Sequence, residues 1–117
     1  MENVTEELTL TGTVSKYHVV TAAGEVTSAA TDVPYGVAQD DGVSGDTIAV
    51  VVLGKTKAIA ADASVALGDA LSAVADGEVD TNAGTATHYV CGRATQDSPA
   101  ANGYVEILFN PNLVAQA

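Results

Sequence analysis

Short β-branched runs separated by paired Gly and Asp residues are the feature that most restricts how this chain can fold. Both residues tolerate positive φ, so such pairs favour tight turns. The pairs stand at positions 41–42, 45–46, 68–69 and 76–77. Turn signals spaced by about eight to twelve residues are typical of an all-β sandwich or barrel. We therefore predict an all-β, small single-domain β-barrel or sandwich with at most a short helix.

Three runs carry the clearest strand pattern. Residues 8–14 alternate large apolar residues with Thr until a glycine interrupts them, and residues 46–54 form a β-branched run between turn residues. Residues 104–109 alternate apolar and polar side chains on two faces. Residues 58–75 are richer in Ala and Leu, but Gly68-Asp69 divides them, so we predict two short strands or turns there, with a short helix as the alternative.

The chain contains a weak internal repeat. Gly-Glu-Val occurs at 24–26 and again at 77–79, and Gly-x-Ala occurs at 36–38 and again at 92–94. The apolar strand at 48–52 has a counterpart at 105–109. Two copies are too few for a solenoid, so they predict one barrel built from two related halves. Chance agreement in a sequence rich in Ala, Val and Gly is the alternative.

Net charge excludes several classes of partner. Fifteen acidic residues face four basic ones, which gives a formal charge of −11. Nucleic acids and anionic membranes are bound through clustered Lys and Arg, and the four basic residues are scattered along the sequence. The longest apolar run, residues 48–53, is far shorter than the roughly 20 residues of a spanning helix. We therefore predict binding to neither nucleic acid nor membrane.

The beginning of the chain and its cysteine content indicate the compartment. The first eight residues, MENVTEEL, are acidic and lack the apolar core of a secretory signal. The single cysteine excludes an internal disulfide framework. Both features predict synthesis in a reducing cytoplasm.

No set of residues reproduces a known nucleotide or zinc motif. Residues 54–56, Gly-Lys-Thr, are similar to the end of a phosphate-binding loop, but the Gly required five positions earlier is Ala49. His88 and Cys91 are three residues apart and would point to opposite faces of a strand. His18 is the only further strong ligand, whereas structural zinc takes four. We predict neither site, with Cys91 as a core residue.

The spacing of oxygen ligands does not match an EF-hand, and the spacing of candidate catalytic residues does not match a known nucleophilic motif. Residues 76–82 carry oxygen ligands at alternating positions, but an EF-hand needs Gly and Glu where the chain has Thr81 and Thr87. A looser calcium site stays open, with a solvated turn favoured. Nucleophilic catalysis needs a Ser or Cys with a base and an orienting acid, and neither His18 nor His88 lies in such a motif. We predict a protein that is not an enzyme and has no cofactor.

The turn pattern resembles that of the capsid decoration, or cement, proteins of tailed bacteriophages. In the first half the shared elements are AGEV at 23–26, YGVA at 35–38, and Gly45-Asp46 followed by a Val-rich strand. In the second half they are VALGDAL at 65–71, DGEV at 76–79, CGRA at 91–94 and the closing strand at 105–109. The resemblance covers about residues 8–110 and consists of structural turns.

This resemblance implies a structural virion protein that binds the outside of a phage head and stabilises it. The implied partner is the major capsid protein, and a homotrimer is favoured. Residues 1–10 would be an N-terminal arm, 11–110 the β-barrel-like domain and 111–117 a C-terminal tail. Contacts with the partner are predicted for the arm and for two polar loops, through Leu8, Leu10, Thr11, Val14, Gln39, Asp40, Asp41, Gln96 and Asp97.

Two other functions fit parts of the pattern. A host-binding fibre or adhesin module is the main alternative. A biotinyl or lipoyl carrier domain shares the Val-x-x-Gly-Asp-x-Leu turn, and its acylated lysine lies at a tight hairpin. Lys55 and Lys57 follow a long apolar strand without the sequence context of that lysine, so the carrier function is disfavoured.

Overall fold

Strands dominate the computed structural model, which describes residues 3–29, 31–61, 65–81, 88–97, 103–111 and 115–116. The strands are β1 (Val4–Thr9), β2 (Val19–Val20), β3 (Gly36–Ala38), β4 (Thr47–Ile59), β5 (Ala70–Ala73), β6 (Val79–Thr81), β7 (His88–Tyr89), β8 (Gly92–Ala94), β9 (Tyr104–Phe109) and β10 (Ala115–Gln116). Within these described ranges, the helical content is one 3-10 turn, Ala75–Gly77. The predicted all-β class is confirmed, and no described helix has the length and apolar character needed to cross a membrane.

The sheet is antiparallel and organised around β4. The first part of β4 lies between β1 and β3, and β2 pairs with the other side of β3. The second part of β4 pairs with β9, which is followed by β8, β5 and β6. The β7 and β10 strands form a separate two-stranded ribbon.

Equivalent backbone hydrogen bonds show that the two halves are structural repeats. The Leu10 amide donates to the Asp46 carbonyl at 2.7 Å, and the Ala60 amide donates to the Gly103 carbonyl at 2.9 Å. Likewise, the Gln39 amide after β3 donates to the Ala49 carbonyl of β4 at 3.0 Å. The Thr95 amide after β8 donates to the Glu106 carbonyl of β9 at 2.8 Å. These matching bonds agree with the predicted division into two related halves. The repeats span about residues 4–53 and 54–110.

The β4 strand joins the repeats. In each repeat the first strand pairs with the last: β1 with the beginning of β4, and the end of β4 with β9. β4 is therefore the last strand of one repeat continued directly into the first strand of the next. Gly54 lies at the junction with φ +120°, and a Cβ there would overlap Asn3. Glycine is needed because the backbone conformation and the close approach both exclude a side chain.

Each repeat contributes a core of small and β-branched side chains. One cluster, in the first repeat, contains Leu10, Val14, Val20, Ala38, Ile48 and Val50. The other lies mainly in the second repeat and includes Leu71, Val79, Val105, Ile107 and Phe109. Val19 and Val37 of the first repeat pack in this second cluster, so the cores are continuous across the repeat boundary.

Contacts within the second repeat and between the two repeats accompany the nearly closed, barrel-shaped sheet. The Ala61 amide donates to the Val79 carbonyl at 2.8 Å, which connects the end of β4 to β6. On the other side, the Thr27 hydroxyl donates to the Val74 carbonyl at 2.9 Å and the Gly77 amide donates to the Thr27 carbonyl at 3.0 Å. Buried Thr27 thus links the loop after β2 to the turn after β5.

The boundaries of the first strand differ from those expected from the sequence. The first strand is Val4–Thr9 rather than residues 8–14, because its exposed residues pair with β4 along a sheet edge where alternation carries little information. The described part of residues 58–75 contains the end of β4, a turn and β5, which agrees with the predicted strands and turns. Residues 62–64 of this segment lie outside the described residues.

Candidate partner-binding surface

A tight turn precedes the second strand of each repeat, and the two turns have the same hydrogen bonds. The Tyr17 amide donates to the Ala38 carbonyl at 2.7 Å, and the Gly68 amide donates to the Ala94 carbonyl at 2.8 Å. The next amide in each turn donates to the carbonyl three positions before it: His18 to Ser15 at 3.2 Å, and Asp69 to Ala66 at 3.0 Å. Tyr17 and Gly68 are therefore equivalent positions.

An aspartate from the following polar loop holds each turn. Asp41 accepts a hydrogen bond from the Lys16 amide at 2.7 Å, and Asp97 accepts one from the Leu67 amide at 2.8 Å. The two polar loops predicted to contact a partner therefore occupy matching places in the repeats. Both aspartates are exposed but have one carboxylate oxygen committed to their own turn.

The repeats differ in the residue that occupies the left-handed position of this turn. Gly68 has φ +89° and Tyr17 has φ +70°. An L-residue pays roughly 1–2 kcal/mol for this conformation, whereas glycine adopts it freely. The first repeat thus has a bulky aromatic residue, Tyr17, in a strained conformation, whereas the second repeat has glycine, which adopts that conformation without strain.

Tyr17 contacts a second tyrosine and a lysine. Its ring meets that of Tyr104, the first residue of β9, edge to face, with centroids 5.4 Å apart and an interplanar angle of 87°. The Lys16 Nζ lies 5.0 Å from the Tyr17 ring centroid, and the Lys57 Nζ lies 5.9 Å from that of Tyr104. Both distances are within the range of cation–π attraction. Tyr104 is 54% exposed, so this cluster lies at the surface.

A cleft of about 220 Å³ opens beside this tyrosine pair, between the two repeats. We call it the tyrosine–lysine cleft; its lining residues are Asn3, Tyr17, Gln39, Lys55, Thr56, Lys57 and Glu106. The Gln39 side-chain nitrogen lies 3.0 Å from both the Val37 carbonyl oxygen and the Thr56 hydroxyl oxygen, which fixes one wall. Glu106 accepts from the Thr95 hydroxyl at 2.9 Å and pairs with Lys55 at 3.6 Å.

The structure separates the predicted contact residues into two groups. Leu10 and Val14 are each 1% exposed in the core of the first repeat, so these two are corrected to core residues: a partner cannot reach their side chains in this fold. Leu8 is half-buried and packs against the same core. The remaining six reach the surface at least in part: Thr11, Gln39, Asp40, Asp41, Gln96 and Asp97.

The exposed candidates lie at more than one place on the surface, and the predicted arm reaches one of them through Asn3, which lines the cleft with Gln39. Thr11 donates its hydroxyl to the Ala23 carbonyl at 2.8 Å, beside the first hairpin turn. Gln39 lines the tyrosine–lysine cleft, and the loop containing Gln96 begins at Thr95, whose hydroxyl contacts Glu106 at the same cleft. The two polar loops therefore both start beside this cleft. The segment assigned to the arm contains β1, which pairs with β4 along its length.

Sequence reasoning missed the cleft itself. Lys16, Lys55 and Lys57 are scattered in sequence but gathered here by the fold, and Tyr17 meets Tyr104 from the other end of the chain. The available signal was the occurrence of Lys-Tyr and Lys-Thr-Lys in a chain with only four basic residues.

The sequence predicts no metal site, no phosphate-binding loop and no catalytic nucleophile. The described residues bear on each of these three predictions. Among them, no three His, Cys, Asp or Glu side chains are grouped as they would be to hold a metal ion. Gly54 and Lys55 lie within the continuous strand β4 rather than in a phosphate-binding loop. Cys91 is fully buried, and burial raises the pKa of its thiol to about 12. The thiol is therefore protonated and enclosed, unlike a nucleophile.

Comparison with known proteins gives a match among solved structures. No family model matches the chain, and no curated protein matches it. The fold is similar to the crystal structure of the N base of head fibre gp8.5 from bacteriophage phi29, with a TM-score of 0.72 and 20% sequence identity. The similarity covers 93% of this chain and 95% of that one. The two chains share a fold over nearly their full lengths.

Proposed function

We propose that this chain is a non-enzymatic structural protein of a bacteriophage virion, made in the host cytoplasm and bound to the outer surface of the head. Within that role, we propose decoration of the capsid, with the major capsid protein as partner and a trimer as the working oligomer. The single observation that carries the proposal is the fold shared with a phage head fibre base over 93% of the chain.

The resemblance in sequence supports the same role independently. The turns that resemble those of cement proteins, such as residues 65–71 and 76–79, are the turns that build the second repeat. A protein that stabilises a shell does so by binding the assembled lattice in preference to its free subunits. This activity needs surface contacts and no reacting group.

Sedimentation with heads tests the proposal. Purified chain is mixed with mature heads of its own phage that lack it, and the heads are pelleted through sucrose. We expect saturable binding and a higher temperature of DNA release from loaded heads. A chain that stays in the supernatant at all concentrations would contradict a role on the head, and the adhesin function would then be preferred.

A fibre base is the second candidate, and the name of the phi29 neighbour favours it. A fibre base also binds the head but has no need to strengthen the shell. Heads that bind the chain without any rise in the temperature of DNA release would identify a fibre base. The carrier function has less support, because Lys55 and Lys57 lie inside β4 and not at a hairpin.

A further inference from the structure

We propose that the tyrosine–lysine cleft is the docking site for a carboxylate-bearing segment of the partner protein. This inference rests on the proposed function, because it takes the partner to be the capsid shell. It assigns the chemistry of the contact to a cleft between the repeats.

Charge is distributed unevenly around the cleft. Three of the four basic residues of the chain lie on it or beside it: Lys16, Lys55 and Lys57. Lys55 pairs with Glu106, whereas Lys16 and Lys57 have no carboxylate within ion-pairing distance among the residues that the structure describes. Asp41 accepts from the Lys16 backbone amide, and Glu106, which lies opposite Lys57 in the β4–β9 pair, contacts Lys55 and Thr95. Two ammonium groups are thus available to a carboxylate.

The overall charge of the molecule limits the length of the anion that fits. The formal charge of the chain is −11, so a long polyanion that binds the cleft would also run along acidic surface. The Debye length is about 8 Å at physiological salt, so a short segment experiences the field of the lysines but little of the distant carboxylates. A short acidic peptide is therefore favoured over nucleic acid or a charged polysaccharide.

The size of the cleft favours a side chain as the occupant. Its volume of about 220 Å³ is below the roughly 300–1,000 Å³ of pockets that enclose small-molecule ligands. Tyrosines beside it supply apolar contact area at low entropic cost, and tyrosine is enriched in the central contacts of protein interfaces. The cleft fits a glutamate or aspartate side chain whose backbone crosses the exposed ring of Tyr104.

The strain at Tyr17 points to the same use. The equivalent residue of the other repeat is Gly68, and the hydrogen bonds of the two turns are the same. The turn therefore does not need tyrosine for its own geometry. Strained backbone concentrates at functional sites, and here the strained residue contributes its ring to the cleft wall.

A titration with a short acidic peptide tests the chemistry. Hexaglutamate is added to ¹⁵N-labelled full-length chain, with hexalysine and a DNA duplex as comparison probes. We expect hexaglutamate to shift the amide resonances of Tyr17, Lys57 and Tyr104, and we expect added salt to weaken the effect. No shifts at these residues, or equal shifts with DNA, would overturn the proposal.

Matched variants locate the interaction. Lys16→Gln with Lys57→Gln removes both free ammonium groups, and Arg93→Gln removes the basic residue that lies away from the cleft, on β8. We expect the double variant to bind hexaglutamate at least fivefold more weakly and the Arg93 variant to bind as the parent does. Equal weakening by both would assign the effect to net charge and overturn the site.

The same variants on phage heads separate this inference from the proposed function. If the parent chain binds heads and the double variant binds equally well, the cleft is not the docking site, although the head-associated role stands. If the parent does not bind heads, the proposed function fails, while the peptide titration still decides the chemistry of the cleft. Self-association of the parent that the double variant abolishes would identify a second copy as the occupant and overturn the proposal.

Discussion

Two glycines of the second repeat are required for different physical reasons. Gly68 has φ +89° with open space where a Cβ would be, whereas a Cβ on Gly92 would overlap the Leu108 carbonyl oxygen of the paired strand. We expect Gly68→Ala to cost about 1 kcal/mol through backbone strain alone, and Gly92→Ala to cost about 3 kcal/mol because the strands must separate. Urea unfolding of both variants measures the difference, and equal costs would contradict the tight approach of β8 to β9.

The buried thiol makes stability depend on alkaline pH. Burial raises the pKa of Cys91 to about 12, whereas an unfolded cysteine ionises near pH 8.5, as a rough reference. Above that pH the unfolded chain releases a proton that the folded chain keeps. The free energy of unfolding should therefore fall between about pH 8.5 and 12, by up to about 1.4 kcal/mol per pH unit.

Comparing the parent with Cys91→Ala isolates the contribution of the thiol to the pH dependence of stability. The titration of lysines and tyrosines is common to both proteins and cancels in the comparison. Urea unfolding at pH 8, 9 and 10 gives the two slopes. We expect the parent to lose stability faster than the variant as the pH rises. Parallel slopes would mean that the thiol is accessible to solvent in the folded chain.

At the scale of elements, the matching turns of the repeats provide a paired prediction. Asp41→Ala and Asp97→Ala each remove a carboxylate that accepts a backbone amide at the turn. Because both sites are exposed, we expect each variant to lose about 1 kcal/mol of unfolding free energy. Asn at either position keeps an acceptor and should lose less. A large loss in only one repeat would show that the two turns are not energetically equivalent.

The sequence predicts the elements where turn chemistry and alternation are both strong. Gly77-Glu78-Val79 and the apolar residues of β9 identify the repeat because turns and buried faces restrict residue type. The boundary between the repeats lies inside β4 and has no turn signal, because the strand continues through the boundary. Gly54 is the residue that indicates where the boundary lies. β1 was missed because its side chains are largely exposed on both faces.

The candidate site was less predictable than the fold. Ser-Lys-Tyr-His at 15–18 and Ala-Leu-Gly-Asp at 66–69 share no residue, yet they form the same turn, because that turn is fixed by backbone bonds and by a distant aspartate. Tyr17 meets Tyr104 only through the packing of the two repeats. Contacts of this kind depend on tertiary structure, and residue type alone does not reveal them.

For the whole molecule, the shared strand predicts cooperative unfolding. Val19 and Val37 of the first repeat pack in the core cluster of the second, and β4 belongs to both repeats. Neither repeat can therefore lose its sheet without exposing the core of the other. We expect one calorimetric transition with equal calorimetric and van't Hoff enthalpies. Two resolved transitions would show that the repeats are separate folding units.

The continuity of β4 also has a mechanical consequence. A force that draws β1 and β9 apart along the axis of β4 loads the hydrogen bonds of both pairings in shear, so that several bonds share the load. A force that peels an edge strand instead would break those bonds one at a time. A chain held through β1 and pulled through β9 would thus resist stretching through its longest strand, and rupture would require many bonds to fail together.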